Sequence, residues 1–298
     1  KDVDYCLECD VDAVNVVVPT SDLHLKYKLK KSQDEMLEDA VKVVEYAKDH
    51  GLAVELAAED STRTDVEYLR KIFKATIDAG ADRICPCDTL GMLTPLKSFN
   101  FYRKFADLGV PVSAHCHNDF GLAVINSIAG LLAGGYAVST TVNGIGERAG
   151  NASLEELIMT LKLLYGKDLG FKIKHIQELS ELVSQKSGLP IPYNKPVVGK
   201  NVFRHESGIH VDAVIEEPLC YEPYLPELVG QKRRLVLGKH SGCRAVKAKL
   251  DACGYHVTKD QLCQIVEKVK QSREEGKYIN DDVFKDIVRS IDENIVDF

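Results

Sequence analysis

The feature that most constrains this chain is a regular alternation of short β-rich runs with longer helical stretches. The β-rich runs cover Val14–Val18, Val54–Ala57, Arg83–Cys87, Val112–Cys116 and Val138–Val142. Apolar residues with helical spacing cover Ser32–His50, Thr64–Ala79, Pro95–Leu108, Gly121–Ala133 and Ser153–Tyr165. This alternation predicts parallel strands joined by right-handed helical crossovers, either in a (β/α)₈ barrel or in a doubly wound sheet.

Local signals mark several boundaries in this pattern. Gly51, Gly80 and Gly109 stand where a helix should end ahead of the next strand, and Ser153 with Glu156 predicts a capping box. After about residue 165 the alternation stops. We therefore expect part of a barrel at 1–165, a linker and subdomain at 166–242, and a helical subdomain at 243–298. Within the second of these, the proline-rich run 188–203 is predicted to be extended. The chain starts at Lys1 within a predicted helix, so we expect a truncated piece.

Composition excludes several classes of protein. The 298 residues carry a formal charge of −7 and no long basic run, which argues against nucleic-acid binding. No stretch has the apolar length of a membrane span, and no signal-peptide pattern opens the chain. Nine cysteines without a disulfide framework are typical of a reducing compartment. We expect a cytoplasmic protein that binds small molecules.

The run "AHCHNDFGLAV" at 114–124 places two histidines where a strand should end. Side chains alternate across a strand, so His115 and His117 point to the same face, about 6–7 Å apart along the backbone. Two imidazoles so placed can bind one divalent ion such as Mg²⁺, Mn²⁺, Fe²⁺, Co²⁺ or Zn²⁺, with open positions for substrate oxygens. The third ligand is either Asp119 or, preferably, a carboxylate from a preceding segment.

Other polar residues also follow predicted strands. They are Glu59, Asp60, Asp88, Thr89, Asn143, Glu147 and Asn151. In barrels and open α/β sheets the carboxyl ends of the strands build the site, so we expect these side chains to line one site with the histidine pair.

Three further motifs admit competing interpretations. "GIGERAG" at 144–150 matches a dinucleotide-binding pattern, but a glycine-rich turn with a local pair between Glu147 and Arg148 is the preferred interpretation. "HESGIH" at 205–210 is either a solvated loop or a segment that reaches over a site. Cys85 and Cys87 lack a CxxC partner and are interpreted as strand packing.

Taken together, the motifs resemble a known family. "SAHCHNDFGLAV", "NGIGERAGNASLEEL", "AEDSTRTD", "CDTLGMLTP", "FRHESGIHVDAV" and "LGKHSG" are similar to those of the homocitrate synthase, 2-isopropylmalate synthase and citramalate synthase family of acyl-CoA condensing enzymes. The resemblance implies a TIM barrel, (β/α)₈, of which the last five βα units are present, followed by small helical subdomains in a domain-swapped homodimer. The family's opening motif, with a catalytic Arg and a metal-binding Asp, is absent from this sequence.

The resemblance also implies roles for individual residues. His115, His117 and Asn151 correspond to metal ligands, while Thr89 and Asn143 correspond to substrate-binding positions. Glu59 and Glu147 match pocket carboxylates with a catalytic role. His210 matches a catalytic histidine that reaches into the partner subunit's barrel.

The activity implied is a metal-dependent Claisen-type condensation of acetyl-CoA with a 2-oxo acid, of class EC 2.3.3. Motifs similar to those of homocitrate synthases favour 2-oxoglutarate, although Ala57 and Ala58 replace hydroxyl residues found in some members. The alternatives are 2-isopropylmalate or citramalate synthesis, retro-aldol cleavage by the same type of barrel, and a non-catalytic relative.

Overall fold

The computed structural model describes residues 1–205, 208–238 and 241–292. The chain divides into two compact units, which we call unit 1, Lys1–Phe171, and unit 2, Lys172–Phe298. Residues 206–207 of the HESGIH segment and 239–240 of the GKHSG segment lie outside the described residues.

Unit 1 contains a five-stranded sheet covered by helices. Its strands are β1 Ala13–Pro19, β2 Ala53–Glu59, β3 Arg83–Asp88, β4 Ser113–Cys116 and β5 Ala137–Ser139. Its helices are α1 Asp2–Glu8, α2 Asp22–His24, α3 Gln33–Asp49, α4 Val66–Asp78, α5 Pro95–Arg103, α6 Ala123–Leu132 and α7 Leu154–Leu163. All pairings are parallel, and the spatial order is the order along the chain. A doubly wound sheet reverses its order at a switch point, so this unbroken order is that of consecutive units of a barrel.

The two faces of the sheet have different surroundings. Leu56, Ile84 and Ala114 point toward the helices and join the main core of unit 1. Ala57, Cys85 and Cys87 alternate with them and form a separate buried cluster on the opposite face. The Sγ atoms of Cys85 and Cys87 lie 3.9 Å apart. A hydrogen bond with Cys87 and burial raise the pKa of Cys85, and a protonated thiol of this kind packs as a small apolar group.

Several predicted boundaries need correction. α5 ends at Arg103 instead of Leu108. β5 ends at Ser139 instead of Val142, because Thr141 forms an isolated parallel bridge with Ser153. The capping box at Ser153 is wrong: Ser153 is the N-cap residue of α7, but its side chain makes no capping hydrogen bond. Gly51 and Gly80 adopt positive φ just after α3 and α4, so these two glycine ends are confirmed. Gly109 also has positive φ, but α5 has already ended at Arg103.

Unit 2 is mainly helical. Its helices are α8 Ile176–Ser187, α9 Gly208–Glu216, α10 Cys243–Ala252, α11 Lys259–Glu274 and α12 Asp281–Arg289, and a two-stranded parallel sheet joins β6 Arg204–His205 to β7 Arg234–Leu235. Val246, Ile265 and Phe284 are among the apolar side chains of its core. The run 188–203 is rich in turns and buries Val198 and Phe203, so the predicted extended linker is replaced by a packed segment.

The helices in the described ranges do not meet the requirements of a membrane span. None of these helices combines the length and the apolar composition that crossing a bilayer requires.

Candidate active site

The predicted histidine pair converges at the carboxyl end of β4. His115 lies in register with Cys87 on the inner face of the sheet, and His117 follows the strand, its amide donating to the carbonyl of Asp88 at 3.1 Å. The two Nε2 atoms lie 3.2 Å apart. A divalent ion about 2.1 Å from each nitrogen would bind them at an angle of about 100°, between octahedral and tetrahedral values. The separation therefore fits two ligands of one ion.

Both imidazoles are held in the neutral form that binds metals. Burial and the neighbouring His117 lower the pKa of His115 to about 4. Burial and the Arg148 guanidinium lower the pKa of His117. A neutral imidazole offers a lone pair without first losing a proton, so neither ring needs to be deprotonated at physiological pH.

Asn151 completes the group predicted from the sequence. It forms an isolated antiparallel bridge with His117 and is only 7% exposed. Its side-chain Nδ2 is buried without a hydrogen-bond partner. A buried amide with one end unsatisfied is typical of a position that a bound group completes, because such a group otherwise loses hydrogen-bond energy.

The GIGERAG segment forms the tight turn that brings Asn151 to this position. A Cβ atom added at Gly146 would lie 1.9 Å from Oδ1 of Asn151, and one added at Gly150 would lie 1.9 Å from the carbonyl oxygen of Gly144. The glycines therefore serve close packing within the turn. This agrees with the glycine-rich turn that we preferred to a dinucleotide site.

Arg148 pairs with a different residue than predicted. Its guanidinium donates to both carboxylate oxygens of Asp119, at 2.7 and 2.9 Å, and to the carbonyl of Thr89. The predicted local pair with Glu147 is therefore replaced by a two-point contact with Asp119. Both carboxylate oxygens of Asp119 thus accept from Arg148, and its role as the third metal ligand stays a prediction.

Thr89 has a fixed orientation at the end of β3. Its hydroxyl oxygen accepts the amide hydrogen of Asp60 at 2.8 Å. Asp60 has φ +64°, and its carboxylate binds Ser21 at 2.5 Å and the Arg63 guanidinium at 2.7 Å. With one lone pair already used, the Thr89 hydroxyl can donate its hydrogen to an anionic group in front of it.

Glu59 belongs to an ionic cluster that the sequence analysis did not identify. Lys28 Nζ donates to both of its carboxylate oxygens, at 3.0 and 2.7 Å, and His24 lies 3.7 Å away. Ser21, His24 and Lys28 are three and four residues apart, a spacing that places them on one side of a helix. That spacing was the available signal.

The two histidines of the HESGIH segment have different environments within unit 2. His205 is buried and its Nε2 lies 3.1 Å from Glu222, which also accepts two hydrogen bonds from Arg233. His210 is exposed and stacks on Tyr221, with ring centroids 4.0 Å apart. His205 is thus tied into a buried ion-pair network, while His210 is accessible to reactants.

The remaining predicted positions are less closely tied to the histidine pair. Glu147 is exposed in the glycine-rich turn. Asn143 lies in the short 3₁₀ turn Val142–Gly144 at φ +62°, and its amide donates to Glu155 at 3.1 Å. Within residues 1–205, 208–238 and 241–292, no set of three or more His, Cys, Asp or Glu side chains is grouped to hold a metal. The candidate centre is two imidazoles and an amide.

Comparisons with family models match both units. The model described as HMGL-like matches residues 1–183, and the model described as Homocitrate synthase post-HMGL domain-like matches residues 197–277.

Curated relatives match nearly the whole chain. Homocitrate synthase AksA of Methanothermobacter thermautotrophicus is 58% identical over 97% of this chain and 74% of its own length. (R)-citramalate synthase CimA of Methanocaldococcus jannaschii is 53% identical over 99% of this chain and 60% of its own length.

A likeness to solved structures supports the barrel fold. HMG-CoA lyase of Bacillus subtilis superposes with a TM-score of 0.57 at 20% identity, covering 64% of this chain and 69% of that one.

Proposed function

The chain belongs to the HMGL-like family, and from this premise we propose that it catalyses metal-dependent condensation of acetyl-CoA with a 2-oxo acid. The observation that carries the proposal is the pair of neutral imidazoles whose Nε2 atoms face each other at 3.2 Å at the end of β4. The proposed products are free CoA and a hydroxylated tricarboxylic or dicarboxylic acid.

His115, His117 and the Asn151 amide would hold the divalent ion. Bound there, the ion supplies Lewis-acid chemistry that makes the keto carbon of the 2-oxo acid more electrophilic. The fit rests on the 3.2 Å separation of the imidazole nitrogens. Asn151 would bind the ion through its Oδ1, since its unsatisfied Nδ2 is a hydrogen-bond donor and has no lone pair for a metal.

The protein's own groups position the 2-oxo acid. Thr89 donates its hydroxyl hydrogen to the substrate carboxylate, because its oxygen is already occupied by the Asp60 amide. Lys28 donates to both carboxylate oxygens of Glu59, and we assign Glu59 and Glu147 as pocket carboxylates. Asn143 is a further proposed substrate contact, placed by its bond to Glu155.

We assign the proton transfer to His210. In the proposed reaction its imidazole removes a methyl proton from acetyl-CoA, and the carbanion forms a bond to the keto carbon, whose oxygen is protonated. Water then hydrolyses the thioester and releases CoA. The exposure of His210 supports this role, whereas the buried pair with Glu222 makes His205 unsuitable. A domain-swapped homodimer is the arrangement proposed to supply His210.

The proposed 2-oxo acid is 2-oxoglutarate. A homocitrate synthase at 58% identity favours it over the pyruvate of a citramalate synthase at 53%. Of the two alanines noted in the sequence, Ala57 lies on the inner face with Cys85, while Ala58 packs toward the helices. Ala57 is therefore the position at which a missing hydroxyl bears on substrate choice.

A panel of 2-oxo acids tests the proposal directly. The full-length protein is incubated with acetyl-CoA, a divalent ion and 2-oxoglutarate, pyruvate or 2-oxoisovalerate. The loss of thioester absorbance is followed, since the nine cysteines of this chain would react with a thiol reagent. Consumption that requires 2-oxoglutarate is expected. A preference for pyruvate or 2-oxoisovalerate would reassign the substrate to citramalate or 2-isopropylmalate synthesis. No consumption with any acid, despite bound metal, would overturn the proposed function.

A further inference from the structure

Unit 2 contains a cavity of about 1240 Å³ whose lining residues have no role assigned in the proposed reaction. Among its lining residues are six cationic side chains, Lys200, Arg204, Lys232, Arg233, Arg234 and Lys249, and two acidic ones, Glu181 and Asp281. Small-molecule sites usually enclose about 300–1,000 Å³, so this cavity has room for far more than one inorganic anion. Its positive charge contrasts with the formal charge of −7 of the whole chain.

Only part of this positive charge is neutralised within the cavity. Lys249 pairs with Asp281, and Arg233 pairs with Glu222. Lys200, Arg204, Lys232 and Arg234 form no direct ion pair with the residues that the structure describes, although the Asp281 carboxylate that pairs with Lys249 also attracts Arg234. Unpaired cations gathered in a concave surface focus a positive potential, which raises the local concentration of anions.

Two of the unpaired cations are direct neighbours across the small sheet. Arg204 in β6 and Arg234 in β7 are register partners in a parallel pair, and both line the cavity. Like charges on adjacent strands destabilise the pairing. An anion with several charged oxygens would remove this repulsion, because each guanidinium can donate two hydrogen bonds to it.

Aromatic rings contact two of these cations. The Arg204 guanidinium carbon lies 5.6 Å from the ring centroid of Tyr278, and Lys200 Nζ lies 5.5 Å from that of Tyr193. Cation–π contacts restrict long side chains before a ligand arrives and so reduce the entropy lost on binding. The arrangement is therefore ordered in advance for an anionic ligand.

We propose that this cavity binds an organic polyphosphate of nucleotide size. The paired arginines recognise the phosphates, and the volume accommodates the rest of the molecule. Two kinds of molecule carry such a group: CoA, in its adenosine phosphate part, and a free nucleotide. The inference does not depend on the histidine pair, so its test stands if the condensation activity fails.

Calorimetric titration of the whole protein with ATP, CoA and inorganic pyrophosphate tests the proposal. Binding is expected for at least one of the two organic polyphosphates, and affinity should fall as salt is raised. Arg204→Gln/Arg234→Gln should weaken binding roughly tenfold or more for each guanidinium removed. Lys97→Gln/Arg103→Gln removes the same charge from exposed positions of unit 1 and should leave binding unchanged.

The pattern of results identifies the ligand source. Variant-sensitive binding of CoA without ATP assigns the cavity to the thioester substrate, and variant-sensitive binding of ATP assigns it to a separate effector. Thermal unfolding without ligand gives an independent check, since relief of the Arg204–Arg234 repulsion should leave the Arg234→Gln protein at least as stable as the parent. If no probe binds at millimolar concentration, or if binding ignores the arginine changes, the proposal is overturned.

Discussion

The two histidine-containing segments of this protein show how burial and partners assign different tasks to one residue type. His115 and His117 face each other at 3.2 Å with no carboxylate hydrogen-bonded to either ring in the described residues, and burial keeps them neutral. His205 is as buried as His117 but lies against Glu222, 3.1 Å away, within a network that includes Arg233.

The difference lies in what each environment leaves unsatisfied. At 115–117 the two Nε2 atoms share one hydrogen bond, and the buried Nδ2 of Asn151 has no partner among the described residues, so a bound group would complete this site. At 205 the carboxylate already satisfies the ring, and His210, five residues later, keeps an exposed ring on Tyr221. We infer that the first segment binds, that His205 stabilises, and that His210 reacts.

Replacing His115 gives the largest expected effect. His115→Ala removes one of two imidazole ligands, so metal affinity should fall below detection and turnover should fall on the order of 10³-fold or more. Metal content after dialysis and thioester consumption are the measurements.

His50→Ala is the matched control, since His50 is an exposed histidine of unit 1. It should retain both metal and turnover. Full activity of His115→Ala would show that the histidine pair at 115–117 is not needed for turnover.

Glu222→Gln tests whether the contact between His205 and Glu222 stabilises the fold. Loss of the buried charge weakens the contacts to His205 and Arg233, and we expect the free energy of unfolding to fall by about 2 kcal/mol, roughly thirtyfold in the unfolding equilibrium. Urea unfolding followed by circular dichroism measures it, and turnover per folded molecule should stay the same.

The comparison variant in the same unit is His210→Gln, which should leave stability within about 0.5 kcal/mol and lower kcat about 10²-fold. If Glu222→Gln instead abolished turnover at full stability, His205 would have to be given a catalytic role.

The sequence was informative where structure depends on local patterns. The five strands and the glycine helix ends follow from periodicity and from the left-handed conformation that glycine adopts readily, and the pairing of His115 with His117 follows from alternation along β4. The sequential strand order needed the structure, because both barrel and doubly wound sheets share the same alternation of elements.

Partner choice over long separations could not be predicted. Arg148 lies next to Glu147 in sequence but binds Asp119, 29 residues away, and Lys28 binds Glu59 across 31 residues. Several carboxylates compete for each cation, and only the packed chain decides among them. Ser153 has the capping-box sequence, but the bridge to Thr141 fixes its backbone.

The pH dependence of stability gives the smallest and most discriminating effect. The pKa of His115 is lowered to about 4 in the folded protein, below the ordinary value of 6.5 that it takes when unfolded. The unfolded chain therefore gains the proton first, and in metal-free protein stability should fall as pH falls from about 6.5 to about 4, with about 1 kcal/mol of the loss between pH 6.5 and 5.5. For Glu222 burial opposes ionisation, but hydrogen bonds from Arg233 and His205 lower its pKa below 4.5. Its contribution is present above pH 4.5 and is lost only as pH falls further.

Urea unfolding with a chelator, repeated from pH 7.5 to 4, separates these two windows. His115→Gln should flatten the step between pH 6.5 and 5.5, whereas Glu222→Gln should leave that step in place and lower stability at every pH above 4.5. If the loss of stability between pH 6.5 and 5.5 persists in His115→Gln, protonation of His115 is not its cause. The distinction between the two segments would then rest on geometry alone.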